Sequence, residues 1–148
     1  MPPGISQTFL RDPTLPIVIT EGEFKTLALW RLASHGSSSR LRFLPLGLSG
    51  VYNWRGTIGK TVGPDGNRLD VKGAIPDLGW VAWEGRRVVI AYDADAVTKG
   101  LVRIARSELA ANLRSCSALV GFLEWDVTSG KGIDDHIAIV GPTWFSKR

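Results

Sequence analysis

Short apolar runs and longer helical patterns alternate along the chain. The runs are rich in branched aliphatic and aromatic residues, which favour β-strands. They occupy residues 15–20, 41–46, 88–92 and 118–125. Apolar residues recur at helical spacing over about 23–34 and about 96–115, and a short helical turn is expected at 135–140. Strands that alternate with helices predict an α/β fold with a mostly parallel central sheet flanked by helices.

Residues 57–72 interrupt this alternation and predict a β-hairpin inserted on the α/β core. Two short segments of mixed polarity flank the sequence GPDGN (63–67). Such a sequence is typical of a tight turn, because proline presets one backbone angle and glycine permits a positive φ. The cations of the hairpin, Lys60, Arg68 and Lys72, either lie in solvent or touch phosphate.

The composition is that of one folded domain. The chain has 148 residues, of which 44% are hydrophobic and 22% charged, and this length is enough to bury a core. Residues 1–14 are rich in proline and polar groups, and we expect an extended arm or linker there. The domain itself is expected over 15–142, followed by a C-terminal tail at 143–148.

Net charge and cysteine content limit which binding partners, metal sites and cellular compartments are expected for this protein. The net charge of +4 modestly favours an anionic partner such as nucleic acid. The single Cys116 excludes an internal disulfide and a cysteine-rich zinc site. No apolar run approaches the roughly 20 residues that span a bilayer, and residues 1–4 lack a signal-peptide layout. We therefore expect a cytoplasmic protein with no membrane partner.

Two acids, Asp93 and Asp95, directly follow the apolar run at 88–92. They are therefore expected at the carboxyl end of a core strand, where open α/β sheets form their ligand crevices. Carboxylates this close repel one another unless a cation or strong donors lie between them. A hard ion such as Mg²⁺ suits the pair, because it prefers oxygen ligands. The alternative is a solvated turn in which Asp95 caps the following helix.

A second acidic motif, Glu21-Gly22-Glu23, follows the first predicted strand. Gly22 permits a tight backbone at this junction. Acids at a helix N-terminus commonly do no more than favour the helix dipole, and this interpretation suits Glu23. We favour a functional role for Glu21, because it comes straight after the strand.

Two glycine-containing loops add candidate contacts. The segment 47–56 carries glycines, aromatic residues and Arg55, and is either a substrate-contacting loop or a packed connection anchored by Trp54. In the segment 129–137, Lys131 lies between two glycines, and Asp134 and Asp135 follow it. Either these two acids add to a metal site, or Asp134 caps a short helical turn at 135–140.

His136, in the same segment, is expected at the surface. Lys99, one helical turn after the acids at 93 and 95, is a candidate phosphate contact.

Four motifs in this order resemble the Toprim domain of topoisomerases, DnaG-type primases and related nucleases. They are TEGEFKTLAL (20–29), GLSGVYNWRG (47–56), VVIAYDADAVTK (88–99) and GKGIDDHIA (130–138). The sequence is most similar to a Toprim-like family of domains in plasmid, phage and integrative-element replication proteins. The resemblance covers residues 15–142 and implies the Toprim-like fold.

The resemblance implies roles for individual residues. Glu21 would match the Toprim glutamate, which acts as a general acid/base or as a metal-site carboxylate. Asp93 and Asp95 would match the acids that hold Mg²⁺, with Mn²⁺ as an alternative ion. Asp134 and Asp135 would match the late acidic motif and add metal ligands.

One position departs from the family pattern. DnaG-type domains often carry an acid four residues after the glutamate, and this chain has Lys25 there. Lys25 argues against a second metal, or supplies a phosphate contact in its place. Together with Arg55, Lys99 and Lys131, it is a candidate for binding the phosphates of nucleic acid.

The resemblance implies a Mg²⁺-dependent nucleotidyl- or phosphoryl-transfer domain. A primase-type role in replication of a plasmid, phage or other mobile element is expected. The partners would be single-stranded DNA or RNA, nucleotides, and a helicase or other replication protein. The alternatives are a Toprim nuclease, which uses water as the nucleophile, and a non-catalytic module that binds nucleic acid or a replication partner. A flavodoxin-like or receiver-like domain is a more remote alternative.

Overall fold

The computed structural model describes residues 6–36 and 40–142. The expected C-terminal tail at 143–148 and the first five residues of the expected arm lie outside the described residues. The strands are β1 (Ile17–Glu21), β2 (Leu44–Leu48), β3 (Arg55–Val62), β4 (Arg68–Ala74), β5 (Arg87–Ile90) and β6 (Leu119–Phe122). The helices are α1 (Gln7–Arg11), α2 (Glu23–Ser34), α3 (Gly100–Ser115) and α4 (Ile133–Val140). Short 3₁₀ turns cover Pro76–Trp80, Ala94–Val97 and Val127–Ser129.

Within these residues, a parallel four-stranded sheet in the order β2-β1-β5-β6 forms the centre of the fold. The α/β prediction with a parallel sheet is confirmed. The expected hairpin is also present, since β3 and β4 pair antiparallel as a separate two-stranded ribbon. It is longer than the predicted 57–72 and contains a register shift between Thr57 and Gly59.

Apolar side chains cover both faces of the sheet. On β1, Ile17 and Ile19 pack into the same cluster as Leu109 of α3. Val18 packs into the opposite cluster with Leu29 of α2. Successive residues of a strand point to opposite faces, so β1 is buried on both sides. This burial explains why the run is continuously apolar instead of alternating with polar residues.

The expected extended arm is wrong for residues 7–11, which form α1. Leu10 of this helix is buried in the core. The fully buried Arg86 donates hydrogen bonds of 2.7 Å to the carbonyl oxygens of Phe9, Leu10 and Leu15. One guanidinium therefore fixes this segment against the domain. Backbone acceptors carry no side-chain signal, so the sequence pattern did not reveal the contact.

The long helix begins at Gly100 and not near residue 96 as expected, because the chain first forms the 3₁₀ turn Ala94–Val97. Two apolar residues of the helical pattern predicted over 96–115 do not lie in the core: Leu101 and Ile104 are 77% and 48% exposed. The buried face consists of Ala105, Arg106, Leu109, Ala110 and Leu113. Across 6–36 and 40–142, no helix has both the length and the apolar character needed to cross a membrane.

Candidate functional site

Two of the predicted acidic residues, Glu21 and Asp93, lie at the carboxyl ends of the neighbouring strands β1 and β5. These strands are parallel neighbours, with Ile19 opposite Ile90. A hydrogen bond of 2.9 Å from the Thr20 hydroxyl to the Ala91 carbonyl oxygen ties the two chain segments together beyond the last strand pair. Glu21 ends β1, and Asp93 follows β5 by three residues. Strand adjacency therefore accounts for their proximity.

Lys25 lies between these two acids. It projects from the first turn of α2, and its ammonium donates a direct hydrogen bond to Asp93 Oδ1. The same Nζ lies 3.7 Å from Glu21 Oε1. Burial alone would lower the pKa of Lys25, but the hydrogen bond to Asp93 and the charges of Asp93, Glu21 and Asp134 outweigh it and raise the pKa. The amine is therefore a persistent cation.

Two further lysines pair with the acids at 93 and 95. Lys131 Nζ is 3.8 Å from Asp93 Oδ2, and Lys99 Nζ is 2.6 Å from Asp95 Oδ2. The hydrogen bond from Lys99 lowers the pKa of Asp95, with added effects from the charges of Lys99 and Lys131. The site is thus a cluster of alternating charge. We call Glu21, Lys25, Asp93, Asp95, Lys99 and Lys131 the acid–lysine cluster.

Asp95 does not cap the long helix, so the capping role in the alternative interpretation is wrong. The residue that precedes α3 is Lys99, and Asp95 lies inside the 3₁₀ turn. Its backbone oxygen accepts hydrogen bonds from the amides of Thr98 and Lys99, at 3.0 and 2.9 Å. The turn therefore leaves the Asp95 side chain to pair with Lys99.

The glycine-flanked loop around Lys131 is tied to the acids by its backbone. The Lys131 carbonyl oxygen accepts a 2.9 Å hydrogen bond from the Ala94 amide. Trp125, which the sequence patterns did not single out, donates from its indole nitrogen to the Gly130 carbonyl oxygen at 2.7 Å. Gly130 has φ +104°, and a Cβ there would lie 2.7 Å from the His136 amide nitrogen. This position therefore requires glycine.

The last acid pair divides between two roles. Asp134 contributes to the raised pKa of Lys25, so its charge acts on the cluster. Asp135 Oδ2 accepts a long hydrogen bond, 3.4 Å, from the Gly132 amide at the start of α4. Gly132, and not Asp134, precedes the helix. The expectation that Asp134 is the cap is therefore wrong.

His136 is buried, which corrects the expectation of a surface histidine. It is 3% exposed and stacks on the Trp125 ring with centroids 5.3 Å apart. Its Nδ1 lies 2.8 Å from the Ser129 carbonyl oxygen. The histidine therefore holds the loop in place from the side of α4.

Arg55 has a different partner from the lysines. Its guanidinium is 3.1 Å from Glu108 Oε2 on α3 and lies over the Tyr52 ring, 4.4 Å from the centroid. Trp54 is buried in the core. These contacts support the interpretation of 47–56 as a packed loop anchored by Trp54. A phosphate-binding role for Arg55 stays a prediction.

The acidic residues of the acid–lysine cluster offer carboxylate oxygens, and these are the ligands that Mg²⁺ prefers. Over 6–36 and 40–142, however, no group of three or more His, Cys, Asp or Glu side chains is placed to hold a metal ion. Mg²⁺ is often held by only one or two carboxylates, with water and phosphate completing its shell. Asp93 and Asp95 have the carboxylate oxygens that such a limited role needs. Metal ligation by these two residues and by Glu21, Asp134 and Asp135 stays a prediction.

Comparisons with known proteins give a family and a distant relative. A family model described as Domain of unknown function (DUF3854) matches residues 6–144. An uncharacterized protein of Picosynechococcus sp. (strain ATCC 27264 / PCC 7002 / PR-6) is 29% identical over 136 residues. That match covers 90% of this chain but only 12% of the relative. No solved structure matches the chain.

Proposed function

The chain belongs to the family Domain of unknown function (DUF3854), and we propose that it is a Toprim-like, Mg²⁺-dependent domain acting on nucleic acid. Its reaction would be phosphoryl or nucleotidyl transfer, with single-stranded DNA or RNA and nucleotides as substrates. The biological role would be primase-type, in replication of a plasmid, phage or other mobile element. The observation that carries the proposal is the acid–lysine cluster.

The cluster supports phosphate chemistry because it offers both signs of charge within one small region. Transfer of a phosphoryl group requires neutralisation of the phosphate oxygens and an aligned nucleophile. Mg²⁺ bound by Asp93 and Asp95 would supply that neutralisation. The side chains of Lys99 and Lys131 are 55% and 58% exposed, so both can turn from the acids towards an incoming phosphate. Glu21 is the candidate for proton transfer or for positioning.

The relative's length supports a role within a larger assembly. Because this chain matches only 12% of that protein, a domain of this kind occurs alongside much additional sequence. A helicase or another replication domain is the partner that we propose. The net charge of +4 fits a nucleic-acid partner.

A non-catalytic module that binds nucleic acid is the second candidate, and one observation favours it. Three acids of the cluster already have lysine partners: Glu21 and Asp93 share Lys25, and Asp95 pairs with Lys99. A cluster neutralised in this way can persist without a metal. A Toprim-type nuclease would use the same groups with water as the nucleophile.

An assay of paired incubations separates these functions. The purified chain is incubated with Mg²⁺ or Mn²⁺ and single-stranded DNA, with and without labelled ribo- and deoxynucleotides. New labelled oligomers that are absent for Asp93→Asn would support primase-type transfer, whereas DNA shortened without nucleotides would support a nuclease. DNA retained on a gel without either product would support the binding module and overturn the catalytic proposal.

A further inference from the structure

The position of Lys25 between two carboxylates has a consequence for metal content. Glu21 and Asp93 come from the ends of neighbouring strands, and their nearest charged partner in common is the Lys25 ammonium. Two carboxylates that share one partner in this way repel each other unless a positive charge lies near them. Enzymes that transfer phosphoryl groups often meet this need with a pair of metal ions. In this chain the ammonium of Lys25, which is part of the protein itself, supplies a positive charge beside both carboxylates.

Close packing around Lys25 restricts the position of its side chain. A Cβ at Gly132 would lie 3.0 Å from Lys25 Cε and would also collide with Asp134 Oδ1. Glycine at 132 therefore leaves space for the lysine stem and for the acid. The Lys25 side chain is only 20% exposed, and its hydrogen bond joins residues that are 68 positions apart. Side chains with so little exposure lose rotamer freedom, and the ion pair therefore has one preferred geometry.

The two oxygens of Asp93 have different environments. Oδ1 accepts the hydrogen bond from Lys25, whereas Oδ2 has Lys131 at 3.8 Å, beyond hydrogen-bonding distance. Asp95 follows two residues later, and its partner Lys99 is an exposed and flexible side chain. Oδ2 of Asp93 and the Asp95 carboxylate are therefore the acceptors that a divalent ion can reach by displacing only exposed lysines.

We propose that the Lys25 ammonium takes the place of one metal ion of a two-metal site, so that this chain binds a single Mg²⁺ at Asp93 and Asp95. This inference rests on the proposed function, since it assumes that the cluster takes a divalent cation. Glu21 then stays paired with Lys25 and acts as a positioning residue. Two positive charges would then be available to the reaction, one from the bound Mg²⁺ and one from the Lys25 ammonium.

Counting bound ions tests the inference without any activity measurement. Mn²⁺ replaces Mg²⁺ as the probe, and equilibrium dialysis followed by electron paramagnetic resonance gives the number of ions per chain. We expect one Mn²⁺ for the unaltered chain and two for Lys25→Met, because removal of the ammonium leaves no cation between Glu21 and Asp93 Oδ1. Lys25→Gln, which keeps a donor but has no charge, should also bind two ions.

Two control variants separate charge from position. Lys25→Arg keeps the cation and should bind one ion. Lys99→Met removes a positive charge beside Asp95 instead. This variant should also bind one Mn²⁺, because Lys25 still lies between Glu21 and Asp93. Circular dichroism establishes that each variant is folded, and the glutamine variant replaces the methionine variant if the latter does not fold.

Each remaining outcome decides a different question. Two ions bound to the unaltered chain would overturn this inference and leave the proposed function intact. One ion bound by both neutral variants, with unchanged affinity, would also overturn it. No ion bound to the unaltered chain would instead contradict the Mg²⁺-dependent function from which the inference starts.

Discussion

Lys25 and Asp93 are 68 residues apart in the chain and are joined by a direct, hydrogen-bonded ion pair. Their contact follows from the strand order, since β1 and β5 are parallel neighbours although β2, β3 and β4 separate them in sequence. The helix after β1 and the turn after β5 consequently start at the same edge of the sheet. This edge is where ligand sites of open α/β sheets usually lie.

Replacing Asp93 and Asp95 together by asparagine should abolish Mg²⁺ binding and leave the fold intact. The amides preserve size, and the loss of two negative charges relieves repulsion. Each acid lost should slow a metal-dependent reaction by about 10²-fold or more, which is several kcal/mol of barrier. Isothermal calorimetry with Mg²⁺ measures the binding. Asp70→Asn is the control, because Asp70 also lies near lysines but belongs to the hairpin. Unchanged affinity in the double variant would exclude these residues as the metal site.

Lys131→Ala should weaken binding of single-stranded nucleic acid and reduce its dependence on salt. Each phosphate contact releases counterions, so the slope of log affinity against log salt should fall by about 0.7. Fluorescence anisotropy over a series of salt concentrations gives this slope. Lys60→Ala, an exposed lysine on the hairpin, should leave it unchanged. Equal slopes for the Lys131 variant and the unaltered chain would argue against a phosphate contact there.

Gly130→Ala should destabilise the protein by about 1–3 kcal/mol, because alanine is strained at a positive φ and its Cβ would meet backbone atoms of Asp135 and His136. Gly85→Ala is the matched control. Gly85 also has a positive φ, +67°, but nothing lies within 4 Å of its added Cβ. Denaturant unfolding of both variants separates the contribution of strain from that of collision. A loss no larger at Gly130 than at Gly85 would show that the loop moves aside.

The sequence predicted the acids of the site better than their partners. Glu21, Asp93 and Asp95 follow apolar runs, and strand ends in an α/β fold share an edge, so local pattern was sufficient for them. The pairing of Lys25 with Asp93 depends on which strands are neighbours, which no local pattern encodes. The same reason explains why Arg86 went unnoticed: its acceptors are backbone oxygens of a distant segment.

Arg86→Met should lower the free energy of unfolding by about 3 kcal/mol. Methionine fills part of the space but removes the guanidinium donor from three carbonyl oxygens, of which that of Leu10 keeps a hydrogen bond from the Ala82 amide. Each buried acceptor left unsatisfied costs about 1–3 kcal/mol before relaxation. Arg87→Met, at the exposed next position, should change stability little. Thermal and denaturant unfolding give both values. Similar stabilities for the two variants would mean that α1 contributes little to the folded domain.

Stability should depend on Asp126 at acidic pH. Hydrogen bonds from the Thr128 hydroxyl and amide lower the pKa of Asp126 from its usual value of 3.8. A lowered folded-state pKa contributes stability that is present above the unfolded value and is lost as pH falls through the folded one. The stability difference between the unaltered chain and Asp126→Ala should therefore shrink below pH 3.8. Thr128→Val removes the largest cause of the shift and should weaken the same pH dependence. A difference that stays constant with falling pH would contradict the assignment.

Locating the bound divalent ion is the decisive test of a single Mg²⁺ site at Asp93 and Asp95. Crystals of the unaltered chain grown with Mn²⁺ would give an anomalous difference map that locates every bound ion. We expect one peak at the carboxylates of Asp93 and Asp95, with the Lys25 ammonium still between Glu21 and Asp93. A peak elsewhere, or no peak at Mn²⁺ concentrations that saturate binding in solution, would contradict it.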